Sequence, residues 1–117
     1  MLTRIFFSIA IVLPNLAWAQ TSHQAALTKF AAKAVYSERR CPSLKANLGA
    51  LAVIGANYGV TPDDWAPGGK LHRLFKAQMA VMEAENDSSD PKIFCAAVEF
   101  VFGPDGARMP GLLTKRN

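Results

Sequence analysis

The sequence predicts an all-α fold: a small single-domain bundle of four main helices plus one short helical turn, with one disulfide and an irregular C-terminal tail. Three observations predict it. Apolar residues recur at three- and four-residue steps through most of the chain. Two segments, Thr61-Pro62 and Asp90-Pro91, pair a capping residue with a proline at the first helical position. Only two cysteines are present, Cys41 and Cys95, in a chain whose first residues read as an export signal.

The signal comes first. Arg4 supplies a positive n-region and Ile5 to Leu13 is apolar, interrupted only by Ser8. Pro14 then breaks the helix, and Ala17-Trp18-Ala19 places small residues where a signal peptidase cuts. Residues 1–19 are expected to be a cleaved signal peptide and residues 20–117 one helical domain, with a tail from about residue 107. The apolar run is shorter than the ~20 residues of a membrane-spanning helix, so stable insertion after cleavage is not expected.

Thr21 or Ser22 can cap the first helix, which carries Leu27, Phe30, Ala31, Ala34 and Val35 as one apolar stripe. It should stop near Arg40, because Cys41 precedes Pro42 and is pushed out of helical angles. Ser43 is the expected cap of a second helix, with Leu44, Leu48, Leu51 and Tyr58 as its seam. Ala50, Ala52, Val53, Ile54 and Ala56 make this helix apolar nearly all round, which predicts that it is the buried centre of the bundle. Gly49 and Gly55 offer room for a close neighbour, and Gly59 suits a left-handed stop.

Thr61-Pro62-Asp63-Asp64 predicts a short helical turn, closed by Pro67-Gly68-Gly69. Its two aspartates lie at the positive end of the helix dipole. A further helix is expected from about Lys70 to Glu85, with Leu71, Leu74, Phe75, Met79 and Met82 inward. After the polar Asn86-Asp87-Ser88-Ser89, the last helix runs from Pro91 to about Phe102. A strand competes there, since Val98, Phe100 and Phe102 alternate with Glu99 and Val101, and Gly103-Pro104-Asp105-Gly106 could turn a hairpin. The helix is favoured because no partner strand is evident elsewhere. The tail should pack back through Leu112 and Leu113, with Lys115 to Asn117 fraying.

Cleavage would remove Arg4 from thirteen basic residues and leave twelve against nine acidic ones, a net charge of +3. The basic residues are scattered apart from Arg39-Arg40 and the tail, which gives no basic face for nucleic acid. A Cys41–Cys95 bond would close a 54-residue loop, worth about 4 kcal/mol on the chain-entropy model. The pair lacks the Cys-x-x-Cys spacing of redox enzymes, so a structural disulfide is expected.

Few other residues invite chemistry. Adjacent helical Asp63 and Asp64 point about 100° apart, which suits helix-start stabilisation better than acid–base work. His23 is expected in a mobile N-terminus and His72 at a helix boundary, with no nucleophile motif near either. Met79 and Met82 continue their own helix's stripe, so core packing is preferred to thioether copper binding. No phosphate loop is present. No catalytic, cofactor-binding or metal-binding residue is therefore nominated. Trp65, beside a turn, and the tail residues Arg108, Leu112 and Leu113 are the candidate contacts for a partner.

The layout resembles that of small periplasmic acid-stress chaperones of the HdeA type. The shared features are a signal peptide, a short all-helical mature chain, and one early and one late cysteine. The likeness lies in layout and no motif, so it assigns no residues. The sequence supports a small exported helical protein, bacterial by the form of its signal and placed in the periplasm, with the medium as the alternative, that acts by binding a protein partner in the envelope. A stress-responsive chaperone and a small enzyme without a recognisable motif are the alternatives.

Overall fold

The computed structural model describes residues 22–116. The expected signal peptide, its cleavage site and the capping residue Thr21 lie outside the described residues. The chain is mainly helical, as predicted. Helix α1 covers 22–40, strand β1 Leu44–Ala46, helix α2 Leu48–Ala56, a 3-10 turn Pro62–Asp64, helix α3 His72–Asn86, helix α4 Pro91–Phe102 and strand β2 Leu113–Lys115.

The central helix is α1, not α2. Leu27, Thr28, Ala31, Ala32, Ala34, Tyr36 and Ser37 are all buried, and at 100° per residue they occupy most of the circumference. Four of them are alanine or serine, small enough to let neighbours approach from several sides. The buried hydroxyls are satisfied within the helix: Thr28 donates to the Gln24 carbonyl and Ser37 to the Lys33 carbonyl, both at 2.7 Å. Burying Leu, Phe or Met side chains against this helix contributes about 1.5–3 kcal/mol each.

Helix α2 is instead short and one-sided. It buries only Leu51 and Gly55, while Leu48 and Val53 are 53% and 72% exposed. Its apolar circumference therefore does not predict its place. Gly55 is the closest point: a Cβ there would sit 2.5 Å from the Val60 carbonyl oxygen, so the turn after the helix folds directly onto it. That turn passes through Gly59 at φ +70°, as expected of a left-handed stop.

The expected start of α2 at Ser43 is also corrected. Leu44 and Ala46 are buried with Lys45 exposed between them, the two-residue period of a strand. Leu44 fits a helical seam with Leu48 equally well, which is why the sequence misleads here. The partner strand lies in the tail that was expected to be irregular. β1 and β2 are antiparallel, with Leu44 opposite Lys115, Lys45 opposite Thr114 and Ala46 opposite Leu113. Asn47 ends the strand and caps α2. Its Oδ1 accepts from the Ala50 N–H at 3.0 Å and its Nδ2 donates to the Gly111 carbonyl at 2.9 Å.

Leu112 and Leu113 are 1% and 0% exposed, so the tail does close over the core. Lys115 and Arg116 do not fray. Lys115 pairs with Glu99, and the Arg116 N–H donates to the Ser43 carbonyl at 2.8 Å. Helix α4 has the expected bounds, and Asp90 caps it by accepting from the Lys92 N–H at 2.9 Å. The 3-10 turn opens with the Thr61 N–H donating to Asp64 at 2.8 Å.

Cys41 and Cys95 form the predicted disulfide, with Cα atoms 5.7 Å apart. It joins the residue after α1 to the second turn of α4. Replacing both cysteines with serine should lower unfolding free energy by about 4 kcal/mol. Denaturant titration of oxidised protein, reduced protein and the double variant checks this. The first should stand apart, and the last two should coincide to within about 1 kcal/mol.

Candidate functional site

Two constellations stand out beside the core. The first is built on Arg40, the last residue of α1, whose side chain is only 13% exposed. Its Nη1 donates to the Tyr36 hydroxyl at 2.9 Å and to the Asn86 carbonyl, and its Nη2 donates to the Ser89 carbonyl. Its guanidinium lies 5.7 Å from the centroid of the Phe94 ring, and Tyr36 meets the same ring edge-on at 5.5 Å. Tyr36 in turn donates to Asp87 at 2.6 Å. Arg40 thus holds the α3–α4 loop by its backbone, next to the disulfide.

Burial raises the Tyr36 pKa above its ordinary value, and the hydrogen bond to Asp87 adds to the rise, while Arg40 opposes it. The arrangement binds a phenol in its neutral form. A small hollow of about 170 Å³ borders Tyr36, Arg39, Arg40, Glu83 and Asp87, but the hydroxyl itself is already engaged by Asp87 and Arg40, which suits a structural role.

The second constellation is a cleft of about 480 Å³ between α1 and the end of α4. Its lining is Lys29, Phe30, Lys33, Val101, Phe102 and Arg108. The floor is aromatic: Phe30 and Phe102 pack edge to face with centroids 6.3 Å apart. Lys33 places its ammonium 5.9 Å from the Phe30 centroid. Three cations surround this floor and no carboxylate lines it. Among the described residues, none of the three makes an ion pair.

Local sequence explains how the cleft is held. Lys29 and Lys33 are four apart on α1 and share a face. Arg108 is fixed by the chain reversal after α4. The N–H of Ala107 donates to the Phe100 carbonyl at 2.9 Å, and those of Arg108 and Met109 both donate to Val101 at 3.2 Å. Gly106 makes this possible, since a Cβ there would lie 2.5 Å from the Val101 carbonyl oxygen.

Of the residues nominated from sequence, only Arg108 lies in this cleft. Trp65 is 6% exposed and donates its indole N–H to Thr28 Oγ1 at 3.0 Å, so it serves the core. Leu112 and Leu113 are buried beneath the tail, and their surface is used within the chain. Lys29, Phe30, Lys33 and Phe102 were missed. The signal was there in a lysine pair at helical spacing beside Phe30, but Phe30 also continues the core stripe, which absorbed it.

The histidines lie apart. His23 sits within α1 and stacks on Tyr58 at 5.0 Å, contrary to its expected place in a mobile terminus. His72 Nδ1 is 2.9 Å from the Trp65 carbonyl. Met79 and Met82 are core residues. Among the described residues no three His, Cys, Asp or Glu side chains gather as a metal site, and no helix is long and apolar enough to cross a membrane.

No protein-family model, curated protein or solved structure matches this chain.

Tyr36 carries an alkaline prediction. Its folded pKa is raised, so above about pH 10 the unfolded chain loses the phenol proton first. The stability that Tyr36 contributes is therefore present below that pH and declines as pH rises through the folded value. Tyr36→Phe should cost about 1–2 kcal/mol near neutral pH through its lost hydrogen bonds. The gap between wild type and variant should shrink above about pH 10. Melting temperatures of the two proteins across that range check it; a constant gap would refute the assignment.

Proposed function

We propose that this is an exported, disulfide-stapled binding protein that receives an acidic segment of an envelope protein in the Lys29–Lys33–Arg108 cleft. The observation that carries the reading is the cleft itself: three cations without acidic partners among the described residues, around a floor of two phenylalanines. Such a site suits carboxylates next to an aliphatic or aromatic side chain. The carboxylates would meet the ammonium and guanidinium groups, and Arg108 can bind one in bidentate fashion. The apolar neighbour would cover Phe30 and Phe102. Export is supported by the disulfide and by the N-terminal sequence, since disulfides persist in oxidising compartments.

The site is well suited to binding rather than catalysis. Its lining holds no serine, threonine, cysteine or histidine. Backbone hydrogen bonds fix the chain at Arg108, and the disulfide ties the residue after α1 to the second turn of α4. A preorganised cleft loses less entropy when a ligand orders in it.

The test is capture of partners by crosslinking in the exporting cell, comparing wild type with Lys33→Glu/Arg108→Glu. Arg108 is exposed and Lys33 is half-buried, outside the core, so the variant should fold normally, as circular dichroism would show. It should lose a partner that wild type retains. A synthetic peptide of alternating Glu and Leu should bind wild type at least tenfold more tightly than the variant, with affinity falling as salt is added. An unchanged partner set and equal peptide affinities would refute the reading.

A second reading has one observation behind it. Leu48, Val53 and Tyr58 are exposed on and just after α2, apolar side chains of the kind a chaperone offers to unfolded clients. Suppression of client aggregation, measured from neutral to strongly acid pH, should then fall on Val53→Asp. Equal suppression by both proteins would dismiss that role for α2.

A further inference from the structure

Helix α4 has an outer face that the fold leaves uncovered. Phe94 and Phe102 point into the core, but Ile93 and Phe100 are 70% and 72% exposed. Ala96 and Ala97 are exposed between them. These four residues occur at i, i+3, i+4 and i+7, so they form one stripe along the helix. Such a stripe is the seam of a helix–helix contact.

The stripe has an internal symmetry. Read in either direction along α4, it runs large, small, small, large. A two-fold contact requires a patch that fits its own copy, and this one does when the second helix is antiparallel. Ile93 then meets Phe100 of the second copy at each end. Ala96 and Ala97 meet at the centre, where their size lets the backbones approach.

The charges on the flank point the same way. Lys92 and Glu99 are seven residues apart and lie along one side of the stripe, within about 20° of each other. In an antiparallel pair each Lys92 faces Glu99 of the second copy. In a parallel, in-register pair like charges would lie level with each other. Glu99 also pairs with Lys115 of its own chain, and its side chain is still 36% exposed. A carboxylate offers two oxygens and about four acceptor positions, enough for both cations.

We infer that the protein self-associates as a two-fold dimer through the antiparallel packing of α4 against α4 of a second copy. The helix has 12 residues and is about 18 Å long. A strip of that length and about 10 Å wide covers about 180 Å², below the roughly 800 Å² per partner of a standard interface. The dimer is accordingly a weak one, populated at high protein concentration.

Sedimentation equilibrium of the oxidised protein, taken up to about 1 mM, reads this directly. The mass should rise from monomer toward dimer with concentration. Phe100→Asp should remain monomeric throughout, with its helical circular dichroism unchanged, because the side chain is outside the core. Lys92→Glu and Glu99→Lys each place like charges across the seam and should each weaken self-association several-fold. Mixing the two variants in equal amounts restores opposite charges at both positions and should restore association as a heterodimer. A monomer at every concentration, a Phe100→Asp protein that still dimerises, or a mixture no stronger than its components would overturn the inference.

Discussion

Two consecutive residues, Arg40 and Cys41, hold the rest of the fold in register. They stand where α1 ends and Pro42 forces the chain out of the helix. Cys41 is bonded to α4, and Arg40 grips the carbonyls of the loop that leads into α4. The loop 86–90 has little apolar surface with which to fix itself. It is ordered by a cation instead, and the cation is made tolerable by its setting. The Phe94 ring lies near one side of the guanidinium, while Tyr36, two carbonyls and Asp87 occupy its donors. A charge that is 87% withdrawn from solvent costs several kcal/mol if left unpaired, so removing any of these partners is felt by the others. The disulfide and the arginine also work on different states. The first restricts the unfolded chain, and the second shapes the folded one.

The sequence made most of the helices legible because each carries a period that does not depend on its neighbours. Pro91 to Phe102 is the clearest case, with a cap, a proline and a stripe all in agreement. What was not legible depended on packing between distant segments. Leu44-Lys45-Ala46 has only three residues in which to show a strand period, and its partner is about seventy residues away in the chain. The centrality of α1 was hidden for a related reason. A helix buried among helices need not be strongly hydrophobic. It needs to be narrow, and alanine, serine and threonine do that while scoring poorly on apolar pattern. α2 scores highly and lies outside, with Leu51 its one large side chain fully inside while Leu48 and Val53 stay exposed.

The same reasoning applies to the cleft. Arg108 was visible as a charge in an unexplained tail, but its neighbours Lys29 and Lys33 lie nearly eighty residues earlier. Only the fold brings them together. Trp65, Leu112 and Leu113 show the reverse case: large apolar residues near turns suggest a contact surface, and in this domain they are packed in the core. A small domain buries a smaller fraction of its surface than a large one, so it has few such residues to spare.

Helix α4 shows how one short helix is divided among three tasks. Phe94, Cys95 and Phe102 face the body of the protein, Val101 and Phe102 border the cationic cleft, and Ile93, Ala96, Ala97 and Phe100 remain outside. Its twelve residues leave no side fully idle, which explains why its pattern also read as a strand: apolar residues on several faces blur the helical period. The arrangement has a consequence for the two proposals together. A two-fold contact through the outer face would carry one cleft on each copy, bordered by the same pair of helices that meet at the seam. A partner with two acidic segments could then engage both, and the second engagement would be intramolecular. Weak self-association and modest affinity at a single cleft would in that way combine into tight binding, provided the spacing of the two segments matches the two sites.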